Sequence, residues 1–243
     1  MPEGPSILLL KEQVQAFTSK KVLEVSGNTS VDIERLNGQK VIAFKTWGKQ
    51  FLICFKDFTV RIHLMMFGSY RINERKDTPP RLSLRFANGE LNFYNCSVKL
   101  LEEDPDEIYD WSADILSDEW DAAKAKKKLK KQSEMLVCDA LLNQEIFAGV
   151  GNIIKVEVLF RTRIHPLSTI GALPAKKLAE LIKEARNYSF DFLEWKRKYE
   201  LKKHWLAYKQ KICPRDEVPF KLEHLGVTRR RTFYCPICQL KYV

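Results

Sequence analysis

Ile7, Leu10, Val14 and Phe17 recur at helical spacing, and Pro5 suits a first turn, so the pattern predicts a helix over 5–20. From 21 to 102 the period shortens. Segments 40–44, 50–55, 59–65 and 69–73 are β-rich and separated by glycine or charged turns, and predict strands. Leu82, Leu84 and Phe86 alternate, Asn88-Gly89 follows, and Leu91 and Phe93 alternate again, which predicts a hairpin. After an acidic stretch over 103–121, anchored by Trp111 and Trp120, helical patterning takes over at 135–142, 153–160 and 174–199. In the last of these Leu178, Leu181, Ile182 and Ala185 form the apolar stripe. The lysine run from Lys124 to Lys131 is expected to be a solvated helix face.

This pattern predicts an α+β chain in two domains. A helix followed by a mostly antiparallel sheet is expected over 1–118 and a helical domain over 119–205. A Cys/Arg-rich hairpin over 206–243 follows. The chain has 243 residues, enough for one large core or two modest ones. With 41 Lys plus Arg against 31 Asp plus Glu, its net charge of +10 points to a polyanionic partner, nucleic acid first. No stretch approaches the roughly 20 apolar residues of a membrane span. The run Ile7 to Leu10 is too short for a signal-peptide core. The expected setting is therefore cytoplasmic, nucleoid-associated if bacterial, without membrane contact or secretion signal.

Of six cysteines, Cys54, Cys96 and Cys138 stand alone in apolar context and read as reduced core residues. Cys213, Cys235 and Cys238 crowd the C-terminal end, which suits a metal site better than a disulfide framework. Cys235-Pro236-Ile237-Cys238 has the spacing of a zinc knuckle; in the matching Cys213-Pro214-Arg215-Asp216, an aspartate stands where a second cysteine is expected. One structural zinc on Cys213, Asp216, Cys235 and Cys238 is the expected cofactor. His224 is a second candidate for the fourth ligand, and a hairpin held by packing alone is the alternative. Three arginines, Arg229 to Arg231, lie between the pairs and suit a phosphate grip.

Two further motifs carry chemistry. The chain starts Met1-Pro2-Glu3-Gly4-Pro5. Removal of Met1 would leave Pro2 a free secondary amine, partly uncharged near neutrality and able to attack an electrophilic sugar carbon. Glu3 could then move the protons. A plain helix lead-in is the other reading. In Ala148-Gly149-Val150-Gly151-Asn152, the glycines Gly149 and Gly151 permit close backbone approach at a helix N-terminus. Asn152 is placed at that terminus, so the turn forms either an anion site or a tight, capped connection.

In this order the motifs resemble the formamidopyrimidine-DNA glycosylase and endonuclease VIII family of base-excision repair enzymes, over essentially the whole chain. The resemblance implies a β-sandwich domain, a helix–two-turn–helix domain and a zinc-finger hairpin, with DNA in the cleft between domains. It implies a monomeric glycosylase and abasic-site lyase that acts on damaged double-stranded DNA without a small-molecule cofactor. Pro2 is then the nucleophile, Glu3 its acid/base partner, and Lys49 in Trp47-Gly48-Lys49 the catalytic-domain phosphate ligand. Asn152 and Arg230 are further phosphate ligands, while Met65, Met66 and Phe67 fill the gap left by the extruded base. Gln144 lies before the DNA-contacting turn.

Three departures qualify this. Tyr94-Asn95-Cys96-Ser97-Val98-Lys99 replaces the Asp-Pro-Arg-Arg-Phe segment of the formamidopyrimidine branch. It resembles the endonuclease VIII branch and implies oxidised pyrimidines as substrate, with oxidised purines such as 8-oxoguanine the rival. Ser6 replaces a glutamate usual in both branches, and Asp216 replaces a cysteine. A catalytically silent binder of damaged or abasic DNA is the alternative of another class.

Overall fold

A computed structural model describes residues 2–243. The chain divides into two compact units, Met1–Asp110 and Trp111–Val243.

In the first unit α1 runs Gly4–Gln13, with Pro5 in its first turn, and a 3₁₀ turn follows at Gln15–Phe17. The helix expected over 5–20 therefore ends early. Ser19 adopts φ +63 and its N–H bonds the Val41 carbonyl at 2.8 Å, so the chain is already turning toward the sheet. Ile7, Leu10, Val14 and Phe17 still share one buried face, which is all their spacing encodes.

Two four-stranded antiparallel sheets follow. One is ordered β1 (Glu24–Ser26), β6 (Leu82–Phe86), β7 (Gly89–Tyr94), β5 (Ser69–Ile72). The other is β2 (Ala43–Trp47), β3 (Gln50–Cys54), β4 (Thr59–His63), β8 (Ser97–Leu101). Phe44, Phe51, Ile53, Val60 and Ile62 of the second sheet share one core with Leu82, Leu84, Leu91 and Phe93 of the first, the arrangement of a sandwich. The hairpin at Asn88-Gly89 forms one residue earlier than its sequence suggests. Phe86 pairs with Gly89, so Ala87-Asn88 is the turn, and Gly89 at φ +144 passes against the Asn73 amide. A short helix α2 (Pro105–Ile108), capped by Asp104, closes the unit.

The second unit begins at Trp111, eight residues before the boundary expected after 118. Backbone bonds tie its first turn to the later loop: Ala148 N–H to Ala113 O at 2.8 Å and Ile115 N–H to Ala148 O at 3.1 Å. Helices α3 (Ala122–Lys130), α4 (Val137–Ala140), α5 (Asn152–Arg161) and α6 (Ala175–Arg197) build it. Asp121 caps α3 through the N–H groups of Ala123 and Lys124, and Ala125 and Leu129 are its buried positions. Its lysines lie outward as expected, although Lys128 also reaches the Glu145 carbonyl at 2.6 Å. The helix expected over 135–142 is only one turn long. Helix α5 is buried along Asn152–Phe160 and lies at the centre of the unit.

The C-terminal hairpin pairs β9 (Lys221–Leu225) with β10 (Arg230–Tyr234). Its core residues Cys213, Phe233 and Cys235 cluster with Val156 and Phe160 of α5. Residues 206–243, expected as a separate region, are thus packed into the helical unit. No helix among the described residues is long and apolar enough to cross a membrane.

Candidate active site and metal centre

In the first unit Glu3 precedes α1 as its N-cap residue, in extended backbone, and its side chain is 0% exposed. Pro2, beside it, is half-buried. A carboxylate at a helix N-terminus gains from the aligned backbone N–H groups. Ser6, where a glutamate was expected, is buried in the first turn of α1.

Lys49 occupies the two-residue turn between β2 and β3, closed by the pairing of Trp47 with Gln50. Gly48 ahead of it takes φ +54, a conformation that glycine adopts without strain. His63 pairs with Gln50 across the β3–β4 ladder. Burial lowers its pKa from the ordinary value, and the charges of Lys49 and Arg61 push the same way.

His63 also holds the loop that follows β4. Its Nδ1 accepts the Met65 N–H at 3.1 Å and lies 3.1 Å from the Met65 sulfur, while Met65 adopts φ +51. Gly68 closes the loop by donating to the Leu64 carbonyl at 2.8 Å, and a Cβ on it would lie 2.0 Å from that oxygen. Met65, Met66 and Phe67 stand out at 53%, 45% and 81% exposure. The strand expected over 59–65 thus ends at His63, and Met65 to Phe67 form an exposed apolar tip.

The Tyr94–Ser97 connection is short. Strand β7 ends at Tyr94 and β8 begins at Ser97, with Asn95 at φ +51. Cys96 and Cys138 are buried free thiols whose pKa desolvation pushes up to about 11; Cys54 is buried and raised for the same reason. These three are inert core residues, as expected.

In the second unit Gly151 is the N-cap of α5, and Asn152 is its first helical residue. Asn152 is 6% exposed; its Nδ2 donates to the Arg231 carbonyl at 2.9 Å, and its Oδ1 is buried without a hydrogen-bond partner. The asparagine is therefore joined to the strand that carries Arg230, which is exposed at the start of β10. Gln144 spends its amide on the turn itself. Its Nε2 donates to the Leu142 and Val150 carbonyls, and its Oε1 accepts the Gly149 N–H at 3.1 Å. Gly149 takes φ +100, so this turn needs a glycine there.

Ligand atoms of Cys213, Asp216, Cys235 and Cys238 all lie within 4.8 Å of one another. The Cys213 and Cys238 sulfurs are 3.9 Å apart, and Asp216 Oδ2 is 3.3 Å from the Cys213 sulfur and 3.1 Å from that of Cys235. A tetrahedral ion with metal–sulfur bonds of about 2.3 Å sets its sulfurs about 3.8 Å apart, so this donor set fits zinc. Burial and the facing Asp216 carboxylate push the Cys238 thiol up to about 12, a cost that a bound divalent cation reverses. His224 lies exposed on β9, opposite Arg231, and is not in the cluster.

Several residues that matter here were not singled out in the sequence. Arg215 stacks over Phe160, donates to its carbonyl at 2.8 Å and approaches Cys238. Glu157, fully buried in α5, accepts the N–H groups of Leu206, Ala207 and Tyr208 at 2.8–3.1 Å. Burial still raises its pKa against those bonds. Lys155, also 0% exposed, donates to Thr232 Oγ1 at 2.8 Å. The only local signal for either charge is its place in an otherwise apolar helical run.

Comparison with known proteins places this architecture. Residues 1–97 match the formamidopyrimidine-DNA glycosylase N-terminal domain, and residues 112–189 the formamidopyrimidine-DNA glycosylase H2TH domain. Endonuclease 8-like 3 of Mus musculus is 32% identical over 97% of this chain and 40% of its own length. Endonuclease 8-like 2 of Bos taurus is 34% identical over 74% of this chain and 58% of its own length. This chain thus spans less than two thirds of either relative. Among solved structures, a viral DNA glycosylase superposes with a TM-score of 0.83 at 22% identity, covering 98% of this chain and 100% of that one. A complex between the LlFpg protein, a THF-DNA and an inhibitor gives 0.86 at 22% identity, covering 99% and 100%. The fold is the formamidopyrimidine-glycosylase fold, a sandwich followed by a helix–two-turn–helix unit. The chain belongs to the formamidopyrimidine-DNA glycosylase and endonuclease VIII family, on its endonuclease VIII-like side.

Proposed function

We propose that this chain is a base-excision repair glycosylase with abasic-site lyase activity, acting on damaged double-stranded DNA through the amine of Pro2. The observation that carries this reading is the fully buried Glu3 carboxylate at the head of α1, directly beside the half-exposed Pro2. With Met1 removed, the neutral amine attacks C1′ of the flipped nucleotide, the C1′–base bond breaks, and opening of the sugar ring leaves an iminium. Glu3 takes the amine proton and returns one to the departing sugar oxygen. Elimination of the phosphates then nicks the strand.

Lys49, Asn152 and Arg230 are the phosphate ligands in this reading, fixing register without reading sequence. Met65, Met66 and Phe67 supply the wedge, which their exposure at a loop tip supports. Gly149 and Gly151 let backbone approach the strand, and Gln144 serves by holding that turn. A structural zinc on Cys213, Asp216, Cys235 and Cys238 would stiffen the hairpin that bears Arg230. Oxidised pyrimidines are the proposed substrates, because the two-residue connection after Tyr94 leaves no room for an arginine-bearing loop.

Borohydride trapping on duplexes bearing an abasic site or dihydrouracil tests the mechanism. A covalent adduct that Pro2→Gly abolishes is expected. Bound DNA with no adduct, in protein shown by mass to lack Met1, would leave only a silent binder. Relative rates on thymine glycol, dihydrouracil and 8-oxoguanine decide the substrate class.

A further inference from the structure

Among the described residues strand β10 pairs only with β9, and its first residue, Arg230, sits against Leu225 at the turn end of the ribbon. A lone two-stranded ribbon is marginally stable in water. Arg229, in the turn before it, adopts φ +46. The direction in which Arg230 leaves the backbone therefore depends on whatever else holds that strand.

Helix α5 holds it at two points. Asn152 Nδ2 donates to the Arg231 carbonyl at 2.9 Å. One turn further on, Lys155 Nζ donates to Thr232 Oγ1 at 2.8 Å, and that hydroxyl donates to the Arg230 carbonyl at 2.9 Å. The direction of the run is forced. An ammonium group only donates, a carbonyl only accepts, and the hydroxyl has a single proton to pass on. A charged donor also polarises the hydroxyl and strengthens its outgoing bond.

A fully buried lysine is a costly choice. Ile154, Val156 and Val158 around it are all buried apolar residues, and an apolar side chain at 155 would avoid the desolvation cost. With 0% exposure Lys155 cannot touch DNA itself.

We propose that Lys155 is a positioning residue for Arg230: through Thr232 it fixes the Arg230 carbonyl, and so aims the exposed guanidinium at a DNA phosphate. The proposal rests on the reading of Arg230 as a phosphate ligand given above.

The test is the salt dependence of binding by the full chain to a duplex carrying a tetrahydrofuran abasic analogue, with melting curves to show that each variant is folded. Arg230→Ala is expected to lower the slope of log K against log salt by about 1. Lys155→Met and Thr232→Val are expected to lower it comparably, with little further loss when either is combined with Arg230→Ala. Thr232→Ser keeps the hydroxyl and should keep the slope. If Lys155→Met does not fold, Thr232→Val against Thr232→Ser decides. Folded Thr232→Val or Lys155→Met binding with the full slope, beside a reduced slope for Arg230→Ala, would overturn the positioning role and leave the phosphate reading standing. An unchanged slope for Arg230→Ala itself would sink that reading, and this proposal with it.

Discussion

Asn152 and Arg231 are 79 residues apart in sequence, yet the amide of the first donates to the backbone carbonyl of the second at 2.9 Å. The first residue of α5 and the return strand of the C-terminal hairpin are thus joined directly. Asn152→Ala removes this bond and is expected to cost about 1 kcal/mol of stability. For a chain of this size that lowers Tm by roughly 2–4 °C. DNA affinity should fall as well, which a binding titration on the abasic-analogue duplex measures. A variant with native Tm and native affinity would remove Asn152 from both roles.

The donor set at the hairpin makes a separate prediction about metal. Purified protein should carry one zinc per chain by elemental analysis, and a strong chelator should lower its Tm. Asp216→Ala is expected to weaken zinc binding by at least about ten-fold, the scale already seen when an outer-sphere partner is lost. Asp216→Cys should bind at least as tightly as the native protein, since it completes a four-thiolate site. Equal zinc retention by Asp216→Ala would show that the carboxylate is not a ligand.

His63 supplies the pH dependence. Its folded pKa lies below the ordinary histidine value, because burial and the nearby Lys49 disfavour the charged ring. Its contribution to stability is therefore present above about pH 6.5 and is lost as pH falls through the lowered folded value. Protonation also takes Nδ1 away from the Met65 N–H, so the 64–68 loop should loosen in the same window. NMR titration should find the ring pKa depressed, and Lys49→Ala should move it upward. No movement would mean that burial and Arg61 set it without Lys49.

Gly68→Ala forces a methyl against the Leu64 carbonyl, at 2.0 Å before relaxation. The expected cost is about 1–3 kcal/mol, read as a lowered Tm, with the Met65–Met66–Phe67 tip displaced. Unchanged stability would show that the loop repacks freely.

Phe67→Ser makes the complementary case. At 81% exposure the ring contributes little to the folded state, so Tm should change by under about 2 °C. Affinity for the abasic-analogue duplex should nonetheless drop several-fold if the ring replaces lost stacking. An unaltered affinity would remove Phe67 from the wedge.

The legible and illegible parts of this chain divide by the range of the interactions involved. Alternation at Leu82, Leu84 and Phe86 and helical spacing at Ile7, Leu10 and Val14 report which face of a segment is buried, and those faces are buried as read. The same spacing did not reveal that α1 gives way to a 3₁₀ turn, because one turn of either helix buries the same side chain. Pro2-Glu3, the glycine-bearing turn before Asn152 and the Cys235–Cys238 pair could be singled out because each is a local arrangement of special residue types.

What the sequence by itself determined is therefore the set of local elements and short motifs, and through their order the family. Tertiary structure alone decided which distant groups meet. It placed Asp216, not His224, beside three thiols, moved the boundary to Trp111, and turned Met65 to Phe67 outward. It also set Lys155 against Thr232, 77 residues away. The physical reason is that a buried charge is tolerable only where a partner awaits it. That partner is supplied by the folding of a remote segment, which no periodicity along the chain records.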